Sequence, residues 1–335
     1  MGSFSHISGE TLAQISDLTI TYSPEGQRPV RALQGVSLDI QRGEVIGVLG
    51  ESGSGKSTLA SALLRLLPSY AQYNSGGVCF RGRDLLGLRE SEMRRIRGAE
   101  IVLIPQEPAL ALNPVMRVGT QISEVLRGHS NLTRAQRADR VQELLLEVGF
   151  ENHAEIGSSY PHQLSGGQRQ RITIAQAIAC RPALVIADEP TSKLDGPLQQ
   201  EIVHLMSDIR KRHEIAFLFI SHDPSLFRGF ADRLVVMYAG RIIEEGSAKD
   251  VFEKPLHPYT QALLALANTR SLVSGVASRV SLPAIDGEAP DLTTVHIGCH
   301  YEPRCAARMQ LCAGHGPSRL MPEPAHSVAC FKYDD

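Results

Sequence analysis

An α/β protein built on a parallel sheet is what this sequence predicts, on three observations. An apolar run, Glu44 to Leu49, feeds a glycine-rich loop, G-E-S-G-S-G-K-S at Gly50 to Ser57, and then a helix-like stretch to Leu67. A second apolar run, Ala183 to Ala187, ends in Asp188 and Glu189. Between them lies L-S-G-G-Q, Leu164 to Gln168, opening a further apolar-periodic stretch. Buried parallel strands read as near-continuous apolar runs, and such sheets carry their chemistry at the strands' carboxyl ends.

In chain order, residues 11 to 49 alternate short strand-like runs, L-T-I-T-Y and V-S-L-D-I among them, which predicts an antiparallel patch. Strand, glycine turn and helix then follow in the order the G-x-x-x-x-G-K-[ST] pattern requires. Glycines let successive N–H groups turn toward phosphates, and the helix presents its positive dipole end to them. Lys56 is the residue to reach the β- and γ-phosphates, and Ser57 the one to hold Mg²⁺. From about 107 to 163 the pattern turns helical: Thr133 and Gln136 form a capping box, and Val141, Leu144, Leu145 and Val148 recur on one face. Ser165 caps the stretch Gln168 to Cys180, where Gly166 and Gly167 permit close approach to an anion. One chain thus offers two anion sites. Asp188 suits magnesium binding through water, and Glu189 suits polarising the water that attacks a γ-phosphate. I-A-F-L-F-I before Ser221 and L-V-V-M-Y before the Ala239-Gly240 turn are further strands.

Together these motifs resemble the nucleotide-binding subunit of an ATP-binding cassette (ABC) transporter, over about Thr11 to Gly246. The resemblance implies a P-loop NTPase cassette with a RecA-like core sheet, an antiparallel β subdomain and a helical subdomain at about 107–170. It implies ATP on Gly50, Ser52, Gly53, Gly55, Lys56, Ser57 and Thr58, and magnesium at Ser57, Gln106 and Asp188. Cassettes of that family pair head to tail, so Ser165, Gly166, Gly167, Gln168 and Asp195 (in S-K-L-D) are expected on a partner's nucleotide. Gln106 in I-P-Q-E-P resembles the Q-loop glutamine, and His222 in I-S-H-D the switch histidine near the γ-phosphate. Tyr22 in T-Y-S resembles the aromatic that stacks on adenine, though it also fits a half-exposed strand aromatic. Three places depart from the family pattern: Pro105 before the Q-loop glutamine, Lys193 in the D-loop, and Gly196-Pro197 after Asp195. Lys193 reads as a solvated charge.

About ninety residues remain past Gly246. H-P-Y-T-Q-A-L-L at His257 to Leu264, then S-L-P, then G-C-H-Y-E-P-R-C-A-A-R-M-Q-L-C and P-E-P-A-H-S-V-A-C, resemble the C-terminal extension of oligopeptide, dipeptide and nickel importer ATPases. The expected division is a cassette at 1–250 and an extension at 251–335. The resemblance implies ATP hydrolysis that powers uptake of di- or oligopeptides, with nickel or another small solute as the alternative. It also implies two transmembrane permease subunits, a second homologous ATPase, an extracytoplasmic substrate-binding protein, and a place at the cytoplasmic face of the membrane.

Four of the six cysteines, Cys299, Cys305, Cys312 and Cys330, fall within 32 positions. Cys79 and Cys180 read as small buried apolar residues in a strand and a helix. Clustered thiols in a reducing compartment favour metal over disulfide. The spacing C-x₅-C-x₆-C lacks the C-x₂-C pairs of zinc ribbons and lets the chain wrap something larger than one ion. A [4Fe–4S] cluster is favoured, with Zn²⁺ and unligated thiols open beside it.

With 335 residues, 42% hydrophobic, and a formal charge of −2, the chain can bury a large core in more than one domain. That charge gives no electrostatic case for nucleic acid. The first ten residues lack the basic start and apolar core of a secretion signal. No apolar stretch approaches the roughly 20 residues that span a bilayer, so transport requires membrane subunits on other chains. A cassette ATPase of DNA repair or translation would bring a second cassette or a long coiled-coil insertion. A redox-sensing nucleotide switch would not need both Glu189 and His222.

Overall fold

The structure, a computed structural model, describes residues 11–273, 285 and 287–334. The first ten residues and S-L-P at 281–283, each part of a sequence expectation, lie outside the described residues. The elements begin β1 (Thr11–Tyr22), β2 (Val30–Gln41), β3 (Val45–Leu49), α1 (Lys56–Leu63), β4 (Ala71–Phe80), β5 (Arg83–Asp84), α2 (Glu90–Ile96) and β6 (Ile101–Ile104). Next come α3 (Pro108–Ala111), α4 (Val118–His129), α5 (Arg134–Glu147), α6 (His153–Ser158), α7 (Gly166–Ile178), β7 (Leu184–Asp188), α8 (Gly196–His213) and β8 (Ala216–Ser221). The last are β9 (Arg233–Tyr238), β10 (Arg241–Ser247), α9 (Ala248–Glu253), α10 (Pro258–Val273), α11 (Gln310–Gly314), β11 (Leu320–Glu323) and β12 (His326–Val328). They fall into two compact units, the first from residues up to Asp39, Ile46–Leu86 and Ser221 onward, the second from Ile40–Val45 and Gly87–Ile220.

In the first unit β2, β1, β4 and β5 form a sheet in that order. Val36 and Leu38 are buried while Ser37 and Asp39 are exposed, the alternation of a sheet with one solvated face. β1 runs antiparallel to β4, from Ala13 opposite Phe80 to Tyr22 opposite Ala71. The front half of β4, A-Q-Y-N-S-G-G, has the composition of a turn, and its pairing with β1 overrides that local preference. The fully buried β3 pairs in parallel with β9. Antiparallel β10 follows, and β12 and then β11 extend the order.

In the second unit β6, β7 and β8 pair in parallel, and four of β7's five residues are buried. Helix α5 opens on the expected capping box: the Gln136 N–H donates to Thr133 Oγ1 at 3.3 Å and the Thr133 N–H to Gln136 Oε1 at 2.9 Å. Val141, Leu144, Leu145 and Val148 are all buried.

Two expectations shift. The stretch to Leu67 is helical only to Leu63, because Arg65 takes φ 49° and Pro68 follows. Cys180 lies past the end of α7 and is half-buried. Among the described residues no helix is long and apolar enough to cross a membrane.

Candidate functional site

The glycine loop follows β3 and turns into α1 through Gly55, whose φ of 102° favours glycine. A Cβ there would stand 2.6 Å from the Ala32 carbonyl oxygen, and one at Gly50 would stand 2.3 Å from that of Met237. Both positions therefore exclude side chains. Ser52, Gly53 and Ser57 are exposed along the loop. The Lys56 side chain is buried, and its Nζ donates to the carbonyl oxygens of Gly50 and Glu51, each at 2.8 Å. Tyr22 reaches the same region: its hydroxyl shares a 3.1 Å hydrogen bond with Thr58 Oγ1, and its ring lies 5.9 Å from that of Tyr70. His222 sits exposed after β8, in a turn that Asp223 closes by accepting from the Ser225 N–H at 2.9 Å.

Sequence reasoning missed the groups that grip Glu51. Its N–H donates to the Tyr259 hydroxyl at 2.8 Å. Its carboxylate takes a two-pronged contact from Arg304, Nη1 to Oε2 at 2.7 Å and Nη2 to Oε1 at 3.1 Å. Hydrogen bonding to Glu51 holds the Arg304 pKa above its ordinary value, and burial does the same for Tyr259. Tyr259 is fully buried, 4.6 Å ring to ring from Tyr238 and 5.4 Å from Tyr301. Its segment hangs on Glu244 of β10. That carboxylate accepts from the Leu256 and His257 N–H groups at 2.8 Å each and pairs with His326 Nε2 at 2.8 Å. His257 Nδ1 in turn accepts from the Tyr259 N–H at 3.0 Å, and burial lowers that imidazole's pKa to about 3. The H-P-Y tripeptide marked this segment in the sequence; nothing local named its contact.

In the second unit Asp188 ends β7 and Glu189 follows with φ 45°, a strained conformation for a side-chain-bearing residue. Gln106 Nε2 donates to Glu189 Oε2 at 3.2 Å, so two predicted site residues meet. Ser165 caps α7 reciprocally: Oγ accepts from the Gln168 N–H at 3.2 Å, and the Ser165 N–H donates to Gln168 Oε1 at 2.9 Å. Asp195 is itself a cap, accepting from the Leu198 N–H at 3.1 Å. Lys193 is not a purely solvated charge, since its ammonium lies 2.5 Å from Glu107. A cavity of about 110 Å³ is lined by Gln106, Gly166, Gln170, Pro190 and Lys193 among others. Gln170 is fully buried there, and its amide has no hydrogen-bond partner among the described residues.

Among the described residues the four clustered cysteines come together, but without the geometry of a formed metal site. Cys299, Cys305, Cys312 and Cys330 neighbour one another: the Cys299 N–H donates to the Cys312 carbonyl at 2.8 Å, and the thiols feel one another electrostatically. Yet among the described residues no three His, Cys, Asp or Glu side chains are arranged to hold a metal ion. Burial raises the Cys299 pKa to about 11 and pushes Cys305 and Cys330 upward. The structure therefore does not support the zinc or iron–sulfur expectation.

A glycine loop on a buried strand, two acids at the end of a parallel strand, and a serine-capped helix that opens on two glycines define an ATP-binding cassette. Residues 33–192 match the model of the family described as "ABC transporter", and 243–312 match "Oligopeptide/dipeptide transporter, C-terminal region". Dipeptide transport ATP-binding protein DppD of Bacillus subtilis is 38% identical over 97% of this chain and 96% of its own length. Oligopeptide transport ATP-binding protein OppD of Escherichia coli is 38% identical over 96% of this chain and 94% of its own. A probable D,D-dipeptide transport ATP-binding protein, DdpD of Escherichia coli, reaches 43% over 84% and 85%. Among solved structures, a dimeric ATP-binding cassette bound to ADP and Pi aligns with TM-score 0.63 at 27% identity, covering 71% of this chain and 99% of that one. The structure of cbiO1 from Clostridium perfringens does so with TM-score 0.63 at 27%, covering 79% and 99%. This chain belongs to the ABC transporter ATP-binding family with the oligopeptide/dipeptide C-terminal region, and it is an ABC-type ATPase.

Proposed function

We propose that the chain is an ATPase that powers uptake of di- or oligopeptides, working from the cytoplasmic face of the membrane. The observation that carries this reading is the pairing, on one chain, of a cassette with the oligopeptide/dipeptide C-terminal region at 243–312. The cassette proper is taken as 1–250, with its helical subdomain at about 107–170, and the extension as 251–335. Partners are two permease subunits, a second homologous ATPase and an extracytoplasmic binding protein. Purification from its native membrane tests this: permeases and a second ATPase should accompany the chain, and peptide uptake should fall when its gene is removed. Recovery with DNA or ribosomes instead would sink the reading.

The site roles we propose are the ones the family resemblance implies. Tyr22 stacks on adenine, and Gly50, Ser52, Gly53, Gly55, Lys56, Ser57 and Thr58 hold the phosphates. Magnesium, when bound at Ser57, Gln106 and Asp188, supplies charge neutralisation. Glu189 orients the attacking water, its carboxylate held by Gln106, and His222 stabilises the γ-phosphate charge. Ser165 to Gln168 and Asp195 serve the partner's nucleotide; the exposed Gly166 and the Ser165 cap support this. ATP closes the paired cassettes, and hydrolysis reopens them.

The [4Fe–4S] reading rests on the mutual proximity of four thiols whose spacing suits a group larger than one ion. Iron and acid-labile sulfide analysis of anaerobically purified protein decides it; a colourless, iron-free protein ends it.

A further inference from the structure

Accepting Gly50 to Thr58 as the ATP phosphate loop leaves an electrostatic problem, because the loop carries an acid. A carboxylate beside a bound triphosphate repels it, and that repulsion is felt over several ångströms in a partly buried site. Every polar handle of Glu51 is nonetheless occupied. The N–H goes to Tyr259 at 2.8 Å, the carbonyl oxygen accepts from Lys56 Nζ at 2.8 Å, and the carboxylate meets both Nη atoms of Arg304. Arg304 is well placed for neutralisation, since its side chain is 5% exposed against 31% for Glu51. Such bidentate pairs fix geometry as well as charge. Its guanidinium also lies within 3.3 Å of the Tyr238 hydroxyl, which ties the pair to the aromatic group that includes Tyr259.

We infer that the C-terminal extension is a working part of the ATP site: Arg304 neutralises and orients Glu51, Tyr259 fixes the turn of its peptide group, and together they hold the loop and Lys56 ready for phosphate. Arg304 and Tyr259 are positioning residues that act through Glu51. The extension is therefore more than an appendage beside the cassette. Arg304 also directly precedes Cys305, so a change at the thiols has a covalent path of one peptide bond to the residue that controls the loop.

The test is a charge-rescue series on the full chain, read as the Kd for Mg·ATP. Arg304→Ala should weaken binding about tenfold, because an unneutralised carboxylate then faces the polyanion. High salt should shrink that loss. Tyr259→Phe, which keeps the ring and removes the acceptor, should weaken binding by a smaller factor. The decisive variant is Glu51→Gln added to Arg304→Ala, which should recover most of the lost affinity. A loss that this second substitution does not recover would overturn the inference, as would unchanged affinity in Arg304→Ala. Should Arg304→Ala not fold, Arg304→Gln with and without Glu51→Gln makes the same comparison. Lys56→Ala keeps the underlying reading separate: if it binds Mg·ATP like the parent, the loop is not the ATP site, whatever Arg304 does.

Discussion

The phosphate loop of the first unit is fixed from far along the chain, by Tyr259 at a separation of 208 positions and Arg304 at 253. Helix α7 of the second unit is fixed by its own residues, Ser165 and Gln168, three positions apart. The two expected anion sites would use the same physics, N–H groups at a helix start, but draw on different sources of order. A locally capped helix tolerates change elsewhere in the chain. A loop gripped from the C-terminal extension makes that extension answerable for nucleotide binding.

The largest expected effect lies in the second unit. Glu189→Gln should lower the rate of phosphate release by roughly 10²- to 10⁴-fold, the usual worth of a positioned base, while ATP stays bound. The amide keeps a group for Gln106 to meet, so the fold should survive. Near-parental turnover would remove Glu189 from the chemistry and with it the asymmetry of roles between the units.

Next in size is Glu244→Ala, which attacks the long-range arrangement at its root. Removing the carboxylate orphans the Leu256 and His257 N–H groups and leaves buried His326 without its acid. A loss on the order of 3 kcal/mol is expected in urea unfolding. Mg·ATP affinity should fall with it, because the His257 to Tyr259 segment loses its mooring. If stability falls while affinity at full folding does not, the extension supports only itself.

Acid provides a milder probe of the same segment. His257 accepts the Tyr259 N–H through Nδ1 and must stay neutral to do so; Glu244 and the Tyr301 ring are its neighbours. Its folded-state pKa of about 3 lies below the ordinary value of 6.5, so the unfolded chain binds more protons between the two. The stabilisation is thus complete above about pH 6.5 and is lost as pH falls toward 3. A melting midpoint that declines over that window in the parent and less steeply in His257→Gln is the expected result. Parallel curves would show that other groups set the acid response.

Legibility in the sequence divided along the same line. The loop, the acids at the end of β7, the capping box of α5, the Ser165 cap of α7 and the apolar face of Val141, Leu144 and Leu145 depend on residues within a few positions, so periodicity and spacing revealed them. The front of β4 did not show, because N-S-G-G reads as a turn until β1 pairs with it. Glu51's partners did not show either: H-P-Y read as a pattern and E-P-R-C as part of a cysteine run, and only folding brings Tyr259 and Arg304 to one residue. For the four thiols, spacing suggested ligands, but spacing carries nothing about burial or about where side chains point. Among the described residues the thiols come together without forming a metal site.

Ser165→Ala gauges the local arrangement. Loss of an N-cap oxygen costs about 1 kcal/mol, and here it orphans the Gln168 N–H while the return bond from the backbone N–H of residue 165 to Gln168 Oε1 is kept. Binding of Mg·ATP to the chain's own loop should be untouched, whereas hydrolysis in the assembled pair should fall. A drop in the isolated chain's ATP affinity would mean that the two anion sites are less independent than their separate anchoring implies.

The smallest effect belongs to Lys193, which pairs with Glu107 next to Gln106. The side chains are 59% and 40% exposed, so water screens the pair and holding two long side chains together costs entropy. Lys193→Ala should therefore change unfolding stability by about 0.5 kcal/mol or less. Its use as a probe lies elsewhere, because Lys193 also lines the cavity beside Gln106, Gly166 and Gln170. If the pair steadies the Q-loop, Lys193→Ala should lower hydrolysis in the complex while Lys193→Arg retains it, with stability equal in both. Equal hydrolysis in both variants would make the ion pair a surface contact only, and leave Gln106 held at Glu189 by its own amide.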